Sequence, residues 1–224
     1  MAIRLSRTFI LRKLHQLTGI VPLALFVLEH FYTNSKAISG AAAFNKAVEE
    51  LQAIPYIVLV ETVGIFIPLI YHAVYGLVIT AESRPNNLAY PYPRNWFYLI
   101  QRITGMILFL FILFHVLNFR FGLIPNLNNI SVAHNPNQAF EIVAKEFRMV
   151  PIFLIYVVGI TSTVWHLANG IWLFLVDWGI TIGERAQRVA GYACIGAGAA
   201  LLLVGINAAV AFVRDGGLLG GLFN

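Results

Sequence analysis

The sequence predicts an all-α integral membrane protein: five transmembrane helices in an antiparallel bundle, as two repeated helix pairs plus a fifth helix. Three observations carry that prediction. Of 224 residues, 59% are apolar and 11% charged, far below the roughly 25% charge of a soluble domain. Several apolar runs approach or exceed the ~20 residues needed to cross a bilayer. Four histidines, His30, His72, His115 and His166, fall one to a run, where an ionisable side chain is costly and marks a functional site by default. Backbone polar groups in lipid must be satisfied within the segment, and these runs are too long for barrel strands, so the spans are helices.

The expected spans are 14–36, 56–82, 97–120, 150–177 and 189–213, forming one membrane domain over 1–224. Arg4, Arg7, Arg12 and Lys13 precede the first run, as in a signal peptide. The run is long and no small-residue cleavage site follows it, so a retained first span is expected. Pro55 and Pro151 stand near the starts of the second and fourth spans, where a missing N–H costs least. Pro22 and Pro68 lie inside spans and should kink them, which a helix bundle tolerates. The loops before the second and fourth spans each hold an amphipathic stretch, Phe44–Pro55 and Phe140–Pro151, with Glu50 and Glu146 five residues before the proline. Short helices at about 44–54 and 138–150, lying in the interface plane, are expected there. The fifth span carries Gly191, Gly196, Gly198 and Gly205, the composition of a small-residue packing helix.

Orientation follows from Lys/Arg counts. Arg4, Arg7, Arg12, Lys13, Arg84, Arg94, Arg102, Arg185 and Arg188 share the N-terminal side; Lys36, Lys46, Arg120, Lys145, Arg148 and Arg214 lie on the other. Nine against six, with short loops, predicts the N-terminus in the cytoplasm and the C-terminus outside a bacterial-type cytoplasmic membrane. Cys194 is the only cysteine, which excludes a disulfide framework, an iron–sulfur ligand set and Cys-x-x-Cys-His haem attachment. The net charge of +5 comes from basic flanks on the spans. With no basic cluster interleaved with aromatics, nucleic acid is not an expected partner; membrane lipid is.

The chain repeats itself. Leu17-Thr18-Gly19 with His30 downstream matches Ile103-Thr104-Gly105 with His115 downstream, and His72-x-x-x-Gly76 matches His166-x-x-x-Gly170. One imperfection remains: glycine to histidine is eleven residues in the first span and ten in the third. At ~1.5 Å per residue, His30 lies ~24 Å from the inner start of its helix, and His115 at a similar depth. His72 and His166 sit on helices running the other way. They therefore form an inner pair and His30/His115 an outer one, with roughly 15 Å between the levels.

Two histidines facing each other suit a low-spin haem, whose iron takes one imidazole on each face. Gly76 and Gly170 lie one turn beyond their histidines on the same face, leaving room for a porphyrin edge. Gly19, and its counterpart Gly105, do the same on the first and third spans. The competing reading is histidines that bond neighbouring helices. Zinc or copper would need more ligands than two imidazoles. His15 reads as an interfacial or propionate-contacting residue, and His134, in Val132-Ala133-His134-Asn135-Pro136, as a solvated loop residue.

Arg12-Lys13-Leu14-His15-Gln16-Leu17-Thr18-Gly19, then Glu29-His30, resembles the first span of the cytochrome b subunit of succinate dehydrogenase/fumarate reductase, in its single-subunit, five-helix, two-haem type. Gln101-Arg102-Ile103-Thr104-Gly105 is similar to the Arg-x-Thr-Gly element of the wider family, and the likeness extends over residues 5–215. The resemblance implies two haem b groups, an FAD-containing flavoprotein and an iron–sulfur subunit on the inner face, and a quinone, usually menaquinone in this type. Electrons would pass from iron–sulfur centre to inner haem, outer haem and quinone, with no dicarboxylate chemistry in this chain. Whether the whole complex oligomerises is left open. Arg12, Lys13 and Arg102 are the expected propionate contacts. Arg12 and Arg102, with Gln16 and Trp178, also mark an alternative quinone site on the inner side. Glu61, eleven residues before His72 and ~16 Å further out, is the first candidate for quinone proton transfer, or else an interfacial glutamate favoured by the helix dipole. Glu29 is the weaker candidate. Two other readings stand beside this one: a two-haem anchor of a formate dehydrogenase, hydrogenase or nitrate reductase, and a transporter whose histidines relay protons.

Overall fold

The computed structural model describes residues 6–125, 127 and 129–219. Five helices among them are long and apolar enough to cross a membrane: Arg7–Ser39, Ile57–Ala81, Pro93–Arg120, Val150–Asp177 and Glu184–Ala211. No strand occurs among the described residues. The first, third and fifth helices start four to seven residues before the expected spans. Hydropathy sees only the part in hydrocarbon, whereas helix propagation continues until a cap stops it. For the first span that cap is Ser6, whose side chain accepts from the Phe9 N–H at 3.2 Å.

Three wide π turns interrupt these helices. Gly19–Leu23 holds Pro22, Thr62–Phe66 ends just before Pro68, and Val116–Arg120 follows His115 directly. A proline cannot donate to the carbonyl four residues back and clashes with it; the wider turn moves that carbonyl aside. A π turn also takes up one residue beyond the α-helical count. The turn at Gly19–Leu23 lies between Gly19 and His30, and none lies between Gly105 and His115. Eleven residues in one helix therefore do the work of ten in the other, and the repeat is in register after all.

The described chain forms two compact units, each drawing on separate stretches. The first contains residues through Val27 with Val58–Met106 and Trp165–Ala197; the second contains Leu28–Ile57, Ile107–Val164 and the part from Gly198 onward. In the first unit the large apolar side chains Val21, Leu25, Val58, Leu59, Val63, Ile67 and Ile70 are exposed, as lipid-facing residues must be. Polar contacts tie its helices: the Tyr71 hydroxyl donates to the Leu11 carbonyl at 2.8 Å and the Trp172 indole to the Gln187 carbonyl at 2.9 Å.

The second unit has the dense core, with Phe44, Val48, Phe119, Ile142, Val143, Phe147, Tyr156 and Phe212 all buried. A side chain on Gly205 would meet Phe31 Cε1 at 2.5 Å and Ile160 Cγ2 at 2.9 Å, so that glycine sets a close helix approach. The short helices run over Ala41–Gln52 and Ala139–Phe147. Asn45 joins them, donating to the Asn137 carbonyl at 2.7 Å and accepting from the Phe140 N–H at 2.8 Å. The first buries only Phe44 and Val48, one stripe of its surface. The second buries six of its nine residues, Glu146 among them. It packs into the core with Phe119, Tyr156 and Phe212.

Candidate functional site

The four intramembrane histidines come together as two pairs. In the first unit the rings of His72 and His166 lie 6.3 Å apart at 82°; in the second, those of His30 and His115 lie 5.6 Å apart at 82°. Each pair joins histidines from helices far apart in sequence.

Hydrogen bonds at Nδ1 orient three of these rings. His72 Nδ1 lies 2.9 Å from the His15 carbonyl, which can only accept, so Nδ1 carries the proton. His166 Nδ1 lies 3.2 Å from Thr104 Oγ1, and that hydroxyl already donates to the Ile100 carbonyl at 2.8 Å. Nδ1–H must donate there too. In both rings the lone pair is left on Nε2, the tautomer that a metal-binding imidazole held by a second group adopts. His115 Nδ1 lies 3.1 Å from the Tyr156 hydroxyl.

Within the first unit the repeat is visible atom by atom. A Cβ on Gly19 would lie 2.6 Å from Cε1 of His72, and one on Gly105 would lie 3.2 Å from Cε1 of His166. A Cβ on Gly76 would lie 3.2 Å from His15 Cε1, and one on Gly170 would lie 3.5 Å from Gln101 Nε2. His15 and Gln101 thus occupy equivalent places. Gln101 Nε2 donates to the His166 carbonyl at 3.0 Å and its Oε1 accepts from Asn169 at 2.7 Å. His15 stacks on the His72 ring at 4.0 Å and 12°, closer to the centre of the site than its interfacial position in sequence suggests. Its own Nδ1 is buried without a hydrogen-bond partner among the described residues, and so is Nε of Arg102.

The remaining expected residues are dispersed around this unit. Arg12 pairs with Glu82 at 3.2 Å on the surface. Lys13 donates to the Asp177 carbonyl at 2.7 Å and Gln16 to the Asp177 carboxylate at 2.5 Å, while the Trp178 indole donates to Gln16 at 2.9 Å. The Arg102 guanidinium lies 3.2 Å from the Tyr98 ring centre. Glu61 is half-buried near the start of its helix. The π turn Thr62–Phe66 lies between it and His72, so the eleven-residue spacing no longer returns it to the histidine's face but falls about one residue, ~100°, short. In the second unit the Thr33 hydroxyl donates to Glu29 at 2.5 Å. His134 is exposed in its loop.

Sequence reasoning missed Thr104 as a partner of His166, and Tyr156, Asn118 and Asp177 altogether. The signal was present: a ligating histidine needs an acceptor for its second nitrogen, and polar residues in apolar runs are few. Among the described residues no group of three or more histidine, cysteine or acidic side chains comes together.

A five-helix membrane protein with two imidazole pairs on repeated helices is of the membrane cytochrome class in architecture. The succinate dehydrogenase/fumarate reductase transmembrane subunit family matches residues 82–205. The succinate dehydrogenase cytochrome b558 subunit of Bacillus subtilis (strain 168) is 37% identical over 208 residues, covering 93% of this chain and 98% of that protein. The chain belongs to the succinate dehydrogenase/fumarate reductase transmembrane subunit family. It is the membrane anchor of such a complex, and membership sets aside both the other oxidoreductase anchors and the transporter.

Proposed function

We propose that this chain connects an iron–sulfur subunit to a quinone, menaquinone first, through two b-type haems, one between His72 and His166 and one between His30 and His115. The two imidazole pairs carry this reading. A low-spin haem would be held by one imidazole from each histidine of a pair, which requires the two rings to lie close together. The observed separations are 6.3 and 5.6 Å. The tautomers of His72 and His166 present Nε2 lone pairs, and the buried Nδ1 of His15 and Nε of Arg102 call for polar partners from outside the chain. The residues fit the group. When bound, each haem supplies a one-electron Fe(III)/Fe(II) couple.

The chain's own residues do the rest. Gly19, Gly76, Gly105 and Gly170 let the helices close around the pairs and leave room for a porphyrin edge. Arg12, Lys13 and Arg102 hold the propionate carboxylates, with His15 beside them, and Gln16 belongs to the alternative quinone site on the inner side. Glu61 delivers a proton to the quinone. The N-terminal side is cytoplasmic and receives the iron–sulfur and FAD-containing subunits, making His72/His166 the inner pair.

The test is a reduced-minus-oxidised absorbance spectrum of the purified complex. A b-type α-band is expected, and its absence overturns the reading. His72→Tyr should abolish the His72/His166 haem and spare at least part of the other; loss of neither would sink the pairing.

A further inference from the structure

We propose that Tyr156 is the positioning residue of the His30/His115 haem, held against His115 by a hydrogen bond and backed by the buried pair Asn118–Glu146. The inference rests on the haem reading above. Tyr156 lies early in the helix Val150–Asp177 and is only 4% exposed. A buried phenol needs a polar partner, and here it is His115 Nδ1 at 3.1 Å. An imidazole that ligates through Nε2 keeps its proton on Nδ1. Nδ1–H therefore donates, and the phenol oxygen accepts.

The surroundings leave the phenol little freedom. Its ring packs on Phe147 at 4.6 Å, Phe111 at 5.2 Å and Phe119 at 5.7 Å. Asn118 donates to Glu146 at 2.5 Å, and these are the largest fully buried side chains, both within electrostatic reach of Tyr156. A buried hydrogen bond is costly to leave unmade. This one fixes the helix Ala139–Phe147, and with it Phe147, against the tyrosine.

The other half of the repeat carries different side chains at the equivalent places. Tyr156 lies ten residues before His166, and because the π turn Thr62–Phe66 takes up one residue, the equivalent place before His72 is Glu61, a carboxylate side chain rather than a phenol. Glu50, the counterpart of Glu146, is a surface residue 3.9 Å from Lys46. The contact is thus not duplicated by the repeat, and what it holds is His115.

An acceptor on Nδ1 makes the imidazole a stronger donor to the iron, which favours the ferric state. In the complex in membranes, Tyr156→Phe keeps the ring and removes the acceptor. A redox titration followed at the α-band should show the midpoint of the His30/His115 haem raised. We expect about a tenfold change in the ferric–ferrous equilibrium, about 59 mV for one electron, with the other haem unmoved. A His30→Tyr complex identifies which wave is which. Loss of the His30/His115 haem alone carries the same conclusion. Two unmoved waves, an equal shift of both, or failure of Tyr156→Phe to assemble would overturn the proposal, the last by assigning Tyr156 to folding alone. In each of these cases a haem-containing wild type leaves the haem reading standing.

Discussion

His72 and His166 occupy equivalent positions in the repeat, yet one ring is held by a backbone carbonyl and the other by a threonine hydroxyl. A carbonyl cannot be mutated away, whereas the hydroxyl can. Thr104→Val should weaken the hold on His166 and with it haem retention, by the 10–100-fold typical of losing a group that orients a ligand. Thr104→Ser should restore it; haem-to-protein ratios after graded detergent washing read the difference. The glycines are equally unequal. Gly19→Ala places a methyl 2.6 Å from the His72 ring, while Gly170→Ala places one 3.5 Å from a flexible glutamine, an ordinary contact. Gly19→Ala should therefore lower haem content sharply and Gly170→Ala hardly at all, as measured by pyridine haemochrome on the purified variants.

At the level of elements, the π turn of the first span reconciles two helices of unequal count. Removing the extra residue should let Gly19–Leu23 relax to an α-helix without turning His30 away. Deleting Val21 is expected to leave the α-band at wild-type height. Deleting Ile107 in the third span, where no π turn lies between Gly105 and His115, rotates His115 by ~100° and should cost the haem that it binds. The same bookkeeping weakens the simple helical argument for Glu61, whose spacing to His72 contains a π turn. A direct test of its role remains: Glu61→Gln should slow quinone reduction while both haems stay spectrally intact, and an unchanged rate would remove Glu61 from the proton path.

For the whole molecule, the arrangement proposed above carries electrons across the membrane from the N-terminal side. Each charge moved along the potential gains or loses ~2.3 kcal/mol per 100 mV, which matters for menaquinone, a weak oxidant of succinate. Collapsing the potential with an uncoupler should slow succinate oxidation by the native quinone in intact cells. Rates unchanged under full uncoupling would argue against transmembrane electron movement.

Much of this protein was legible without coordinates. Hydropathy placed the five helices because lipid demands internal backbone bonding, and the second and fourth spans were placed within a residue. The repeat and helical rise paired His30 with His115 and His72 with His166 because depth along a straight helix is simple arithmetic. Helix ends were less legible, since caps such as Ser6 lie outside the apolar run.

The π turns were not legible, because an extra residue in a helix leaves no mark in composition. Glu50 and Glu146 look equivalent in sequence. Only packing decided that one meets lysine at the surface and the other is sealed beneath Phe119, Tyr156 and Phe212. The groups that fix the imidazoles, the His15 carbonyl, Thr104 and Tyr156, come from other helices. Sequence thus determined which side chains lie in the apolar spans and which of them pair. Tertiary structure decided which atoms hold them there, because a hydrogen bond between helices depends on rotation about each axis and on distances that no single helix contains.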